Sequence, residues 1–153
     1  MNATHWHLIV NHVPVLGPAF GLLLLALGWT KKSEDIKRAS LLLFIVTALF
    51  ALPAYLTGEP AEKGTLGLPG VSADVTEKHE NAAQLALGAT LALGGLAMAA
   101  LLLFRHSTPV PRWFLLLVLM VALASTGLMC WTAALGGRVR HTEIRAGPPP
   151  EDS

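Results

Sequence analysis

The chain has one cysteine, Cys130, in 153 residues. It can form no intramolecular disulfide, and a thiolate cage for zinc, a four-cysteine iron–sulfur centre and a CxxCH haem attachment are excluded with it. Charge is scarce as well. Asp, Glu, Lys and Arg make up 14% of the residues, the formal net charge is +1, and no basic tract is long enough to suggest a nucleic-acid partner. The middle of every apolar block lacks an ionisable side chain, which argues against a transmembrane path for protons or ions. Nothing is as specific as HExxH or paired CxxC. Glu77 and Glu80 flank His79 without the Glu-x-x-His spacing of ferritin-like di-iron sites.

Apolar residues are abundant instead. They make up 53% of the chain and lie in four long blocks, roughly Leu8 to Trp29, Ser40 to Leu56, Ala82 to Phe104 and Trp113 to Leu135. Each falls within or just below the range of about 17–25 residues that a spanning helix needs. With no water in hydrocarbon to satisfy the backbone, helices follow. The expected fold is therefore all-α: an integral membrane antiparallel four-helix bundle over residues 1–145, with spans at about 8–29, 40–56, 82–104 and 113–135 and a disordered Pro-rich acidic tail at 146–153. The first block is read as an uncleaved span, because it is long, has no basic residue before it, and is followed by Lys31 and Lys32 instead of a small-residue cleavage site.

Four spans put both termini and the longest loop, about Thr57 to Lys78, on one membrane face. Trp6, Tyr55 and Trp131 would mark that interface, and Trp29 and Trp113 the other. Lys31, Lys32, Lys37, Arg38, Arg105 and Arg112 lie on the short-connection side, against Lys63, Lys78, Arg138, Arg140 and Arg145 opposite. The charge bias places the termini on the outer, periplasmic side of a bacterial inner (cytoplasmic) membrane. Within the first span Pro14, Gly17, Pro18 and Gly21 read as a packing groove with a mild kink. The third is dense in small residues, from Ala82 and Ala83 to Ala99, and the fourth is expected to end at Gly136-Gly137.

The histidines carry the functional signal. Three of the six, His5, His7 and His12, fall within eight residues, and His79 and His141 lie on the same face with Glu59, Glu62, Glu80 and Glu143. Only His106 is opposite, in a solvated turn beside Arg105. His12, about 6 Å inside the start of an apolar helix, needs a partner or a ligand. His7 and Asn11, four apart, share one helix stripe, and His5 and His12 share another.

Two site readings follow. In one, His12 and His79 ligate a non-covalent haem b near the outer interface, with His7 and Asn11 nearby and Arg138 or Arg140 pairing with a propionate. In the other, His7, His12, His79, His141, Glu59, Glu62, Glu80 and Glu143 supply ligands for iron, zinc or copper. The plain alternative is that His5, His7 and His141 are interfacial imidazoles bonded to loop backbone, in a structural subunit of a membrane complex. No catalytic residue is assigned.

Four motifs in order resemble a known family: His7-Leu8-x-x-Asn11-His12-x-Pro14-x-x-Gly17; Leu52-Pro53-Ala54-Tyr55-Leu56-Thr57-Gly58-Glu59-Pro60-Ala61-Glu62; His79-Glu80; and Gly136-Gly137-x-x-Arg140-His141-x-Glu143-Ile144. Together they look like the bacterial membrane proteins filed as domain of unknown function 2231, over nearly the whole chain apart from the tail. Some members of that family are joined to Rieske or cytochrome c-like domains. The resemblance therefore implies a redox setting and raises the haem reading, with electrons passing to or from a separate redox protein or a quinone. The lipid bilayer is the expected surrounding, and a homo-oligomer or a larger complex the expected assembly.

Overall fold

A computed structural model describes residues 10–63, 73–105 and 109–140, and the side chains within 10–58, 74–105 and 109–138. These residues form four helices and, among the described residues, no strand: α1 (His12–Thr30), α2 (Glu34–Lys63), α3 (Ala73–Leu103) and α4 (Arg112–Arg140). The helices form a four-helix bundle in which α1 packs on α2 and α4, and α3 packs on α2 and α4.

Local chemistry sets the helix ends. At the α1–α2 turn the Ser33 N–H donates to the Gly28 carbonyl (2.9 Å) and the Lys32 N–H to the Trp29 carbonyl (3.2 Å), a Schellman closure with Lys32 in the left-handed region at φ 53°. Ser33 then caps α2, its hydroxyl accepting the Ile36 N–H (3.4 Å), and Glu34 and Asp35 place negative charge against the helix dipole. At the far side of the same end, Arg38 Nη2 donates to the Phe104 carbonyl (2.6 Å), satisfying a carbonyl just past the last turn of α3.

The helices run past the apolar blocks. The loop expected from Thr57 to Lys78 is helical over 57–63 and again over 73–78. The Thr57 hydroxyl folds back on this helix, donating to the Pro53 carbonyl (2.8 Å) and lying 3.1 Å from that of Ala54. An exposed Lys78–Asp74 pair (2.7 Å) sits four residues apart on the first turns of α3. α4 likewise continues through Gly136-Gly137 to Arg140 rather than ending there.

Contacts between helices depend on small residues. Gly17 and Gly21 of α1 lie against Thr47 and the Phe44 ring, and Gly94 of α3 lies against the Ala48 methyl. A β-carbon at any of the three would overlap its neighbour. This is the groove read from Gly17 and Gly21. Pro14 is in the first turn of α1, where its missing donor costs nothing, and Pro18 lies inside an unbroken helix. Large buried side chains, Leu25, Leu41, Phe44, Leu93, Phe114, Leu115 and Val118, gather toward the short connections.

Each helix has an 18-residue window of mean hydropathy between 1.8 and 2.3, long and apolar enough to cross a membrane. No more than 39% of any such window is buried within the protein. Leu23, Leu49, Leu56, Leu103 and Met120 are among the large apolar side chains left on the outside.

Candidate functional site

At the end of the bundle away from the short connections, the interior changes character. Ala51, Ala54, Ala82, Ala86, Thr76 and Thr132 are buried there, with Ala82 at 0% and Ala86 at 1% exposure. Ala82 and Ala86 are thus covered by neighbouring helices. A porphyrin between these helices would have to displace the contacts that bury those two alanines.

His79, in the second turn of α3, lies half-buried against α4. Its Nδ1 is 3.0 Å from the Thr132 carbonyl. A carbonyl only accepts, so Nδ1 carries the proton, and in the neutral ring Nε2 holds the lone pair. The ring also covers Gly136: a β-carbon there would stand 3.1 Å from Cε1 and 3.5 Å from Nδ1. Thr132 directs its own hydroxyl to the Leu128 carbonyl (2.9 Å), so its backbone carbonyl is what faces the imidazole. One ring nitrogen held by a backbone carbonyl fixes the plane and tautomer of the imidazole, as it does in metal-ligating histidines.

The other expected residues are placed as follows. His12 is exposed in the first turn of α1, and Glu80 and Arg138 are exposed on α3 and α4. Asn11, half-buried, precedes α1 in a helical conformation (φ −67°, ψ −21°) and makes no capping bond. Its Oδ1 is buried without a hydrogen-bond partner among the described residues. His5, His7, His141 and Glu143 lie outside the described residues, as do the side chains of Glu59, Glu62 and Arg140. Among the described residues no three His, Cys, Asp or Glu side chains converge.

Register separates the two histidines favoured as haem ligands. Gly17 and Gly94 lie against Thr47 and Ala48, adjacent residues of α2, and so share one level of the bundle. His12 is five residues before Gly17 and His79 fifteen before Gly94. With α1 and α3 running in the same direction, ten more residues at about 1.5 Å each would set His79 about 15 Å farther along the bundle. Two axial imidazoles need coordinating nitrogens about 4 Å apart, twice a metal–nitrogen bond of about 2 Å. In that register the two imidazoles stand farther apart than the two faces of one haem require.

Sequence reasoning did not find Thr132 or Gly136 as partners of His79, nor the buried bond between Thr90 Oγ1 and Ser125 Oγ (2.7 Å) that joins α3 to α4. A clue was present for one of them, since a glycine inside a helix calls for a close neighbour. No family model, curated protein or solved structure matches the chain.

Proposed function

We propose that this chain is a four-pass membrane protein whose histidine-rich end holds a metal ion, with Nε2 of His79 as one ligand. The helices run alternately up and down, as the pairing of Gly17, Gly21 and Gly28 with Thr47, Phe44 and Lys37 favours. The bilayer covers the apolar outer faces. Exposed Tyr55 and Trp131 then sit near one interface and Trp113 near the other. The excess of cations on the short-connection side sets that side in the cytoplasm and the histidine-rich end outside it, in a bacterial inner membrane.

One observation carries the metal reading: the His79 ring lies against Gly136 with Nδ1–H directed to the Thr132 carbonyl. That arrangement orients the imidazole for ligation through Nε2. The remaining ligands would come from His5, His7, His141, Glu59, Glu62 and Glu143, which the sequence assigns to the same face. Mixed nitrogen and oxygen ligation suits iron, zinc or copper. Membership of the family resembled by the four motifs, and its redox setting, belongs to this reading.

Elemental analysis and an absorption spectrum on one preparation test it. Colourless protein with stoichiometric metal, lost in His79→Ala and kept in His12→Ala, is the expected result. A Soret band would replace the ion with haem b and a redox protein or quinone as partner. Neither metal nor colour would leave a structural subunit of a larger complex.

A further inference from the structure

The opposite end of the molecule has its own unassigned feature. Lys31, Lys32, Lys37, Arg38, Arg105 and Arg112 meet only two carboxylates there, Glu34 and Asp35. Glu34 is already held by Lys37 (2.6 Å). The bond from Arg38 to the Phe104 carbonyl draws the start of α2 against the end of α3, so the cations of both short connections share one surface. Lys31, Lys32, Arg105 and Arg112 are exposed on it. Directly beside these charges the surface turns apolar. Leu103, 68% exposed, lies two residues before Arg105, and Trp113, 65% exposed, follows Arg112. Phosphate chemistry at the rim with acyl-chain chemistry just beneath is the order of groups in a phospholipid.

We propose that this end binds the headgroup of an anionic phospholipid, with Arg105 and Arg112 engaging the phosphate and the Leu102, Leu103 and Trp113 surface lying along its chains. Guanidinium groups suit phosphate because they present paired donors in a plane. The apolar flank distinguishes a lipid from free phosphate. The inference rests on the membrane-spanning reading and is independent of the metal.

The test is tryptophan quenching by lipids with brominated chains, using the full chain reconstituted in bilayers. Brominated phosphatidylglycerol should quench more strongly than brominated phosphatidylcholine at equal mole fraction, and Trp113→Phe should remove most of the difference. Attraction to anionic lipid corresponds to about five-fold in relative association per cation engaged. The double variant Arg105→Gln/Arg112→Gln should therefore lose the preference, while Arg105→Lys/Arg112→Lys keeps most of it. Equal quenching by the two lipids in the unmodified protein overturns the proposal alone. So does a preference that survives the glutamine variant or is abolished by millimolar glycerol phosphate. No quenching by either lipid overturns the spanning reading and this one together.

Discussion

The two halves of the bundle are built on different principles. Toward the short connections, Leu25, Leu41, Phe44, Leu93, Phe114 and Leu115 fill the interior with large side chains, and Phe104 meets Phe114 edge-on at 5.7 Å. Toward the histidine-rich end the buried positions are mostly Ala, Gly, Pro and Thr. Large interlocking side chains fix one geometry, because a close-packed interior has few voids and yields little. Small buried side chains there leave backbone carbonyls such as that of Thr132 within reach of a side chain on the neighbouring helix. The first half is therefore suited to holding the fold, and the second to presenting polar groups.

The largest expected effect comes from the same deletion in each half. Leu41→Ala, at a fully buried position in the large-residue cluster, should destabilise by about 3 kcal/mol through the cavity it leaves. That is the low end for such changes, because lipid is as apolar as leucine and little transfer energy is lost. Leu135→Ala, near the end of α4 and outside that cluster, should cost about half as much. Unfolding titrations of both variants in one detergent give the answer, and equal costs would break the comparison.

Two adjacent glycines sharpen it. Gly94→Ala drives a methyl into that of Ala48 and should cost about 1–3 kcal/mol. Gly95→Ala meets nothing within 4 Å and should be neutral or stabilising by about 0.5–1 kcal/mol, the helix propensity difference. Thermal unfolding of the pair is decisive, because the sites share a helix and a depth. A similar loss at both positions would mean that helix propensity and not close approach governs this contact.

The hydroxyl pair between α3 and α4 is next in size. Thr90 and Ser125 are both fully buried, so each hydroxyl needs a partner, and they supply one another. A double-mutant cycle with Thr90→Val and Ser125→Ala should return a coupling of about 0.6 kcal/mol, the average for such bonds in membrane bundles. A coupling of zero would show each hydroxyl to be satisfied by its own helix, as the hydroxyl of Thr47 is by the Leu43 carbonyl.

These contacts also show what could be read from the chain. The four apolar blocks announced four helices, because hydrocarbon leaves the backbone no other way to satisfy itself, and Gly17 with Gly21 announced the α1–α2 contact. Periodicity carried the second span through Pro53 only to Leu56 and could not say that α2 continues to Lys63, since the residues beyond Leu56 are mostly polar or helix-breaking. Nor could it rank the histidines. His12 and His79 look equivalent as polar residues at span ends. Their levels depend on how far each helix overshoots its apolar block, and α3 starts nine residues before Ala82. The partners of His79 were illegible for a further reason: a backbone carbonyl has no signature in a sequence.

The smallest expected effect concerns the turn that sets the register of the large-residue half. Lys32 occupies the left-handed position of the Schellman closure, where a β-carbon costs about 1–2 kcal/mol. Lys32→Gly removes that cost and raises the entropy of the unfolded chain, which offsets roughly 0.5–1 kcal/mol of the gain. A net stabilisation of about 0.5–1 kcal/mol should appear as a higher unfolding midpoint with an unchanged slope. The same variant removes one of the four exposed cations at that end, so the brominated-lipid difference should fall modestly while stability rises. A variant that lost stability would mean that the lysine head contributes more, through its surroundings, than its backbone geometry costs. The turn would then belong with the polar contacts of the molecule and not with its packing.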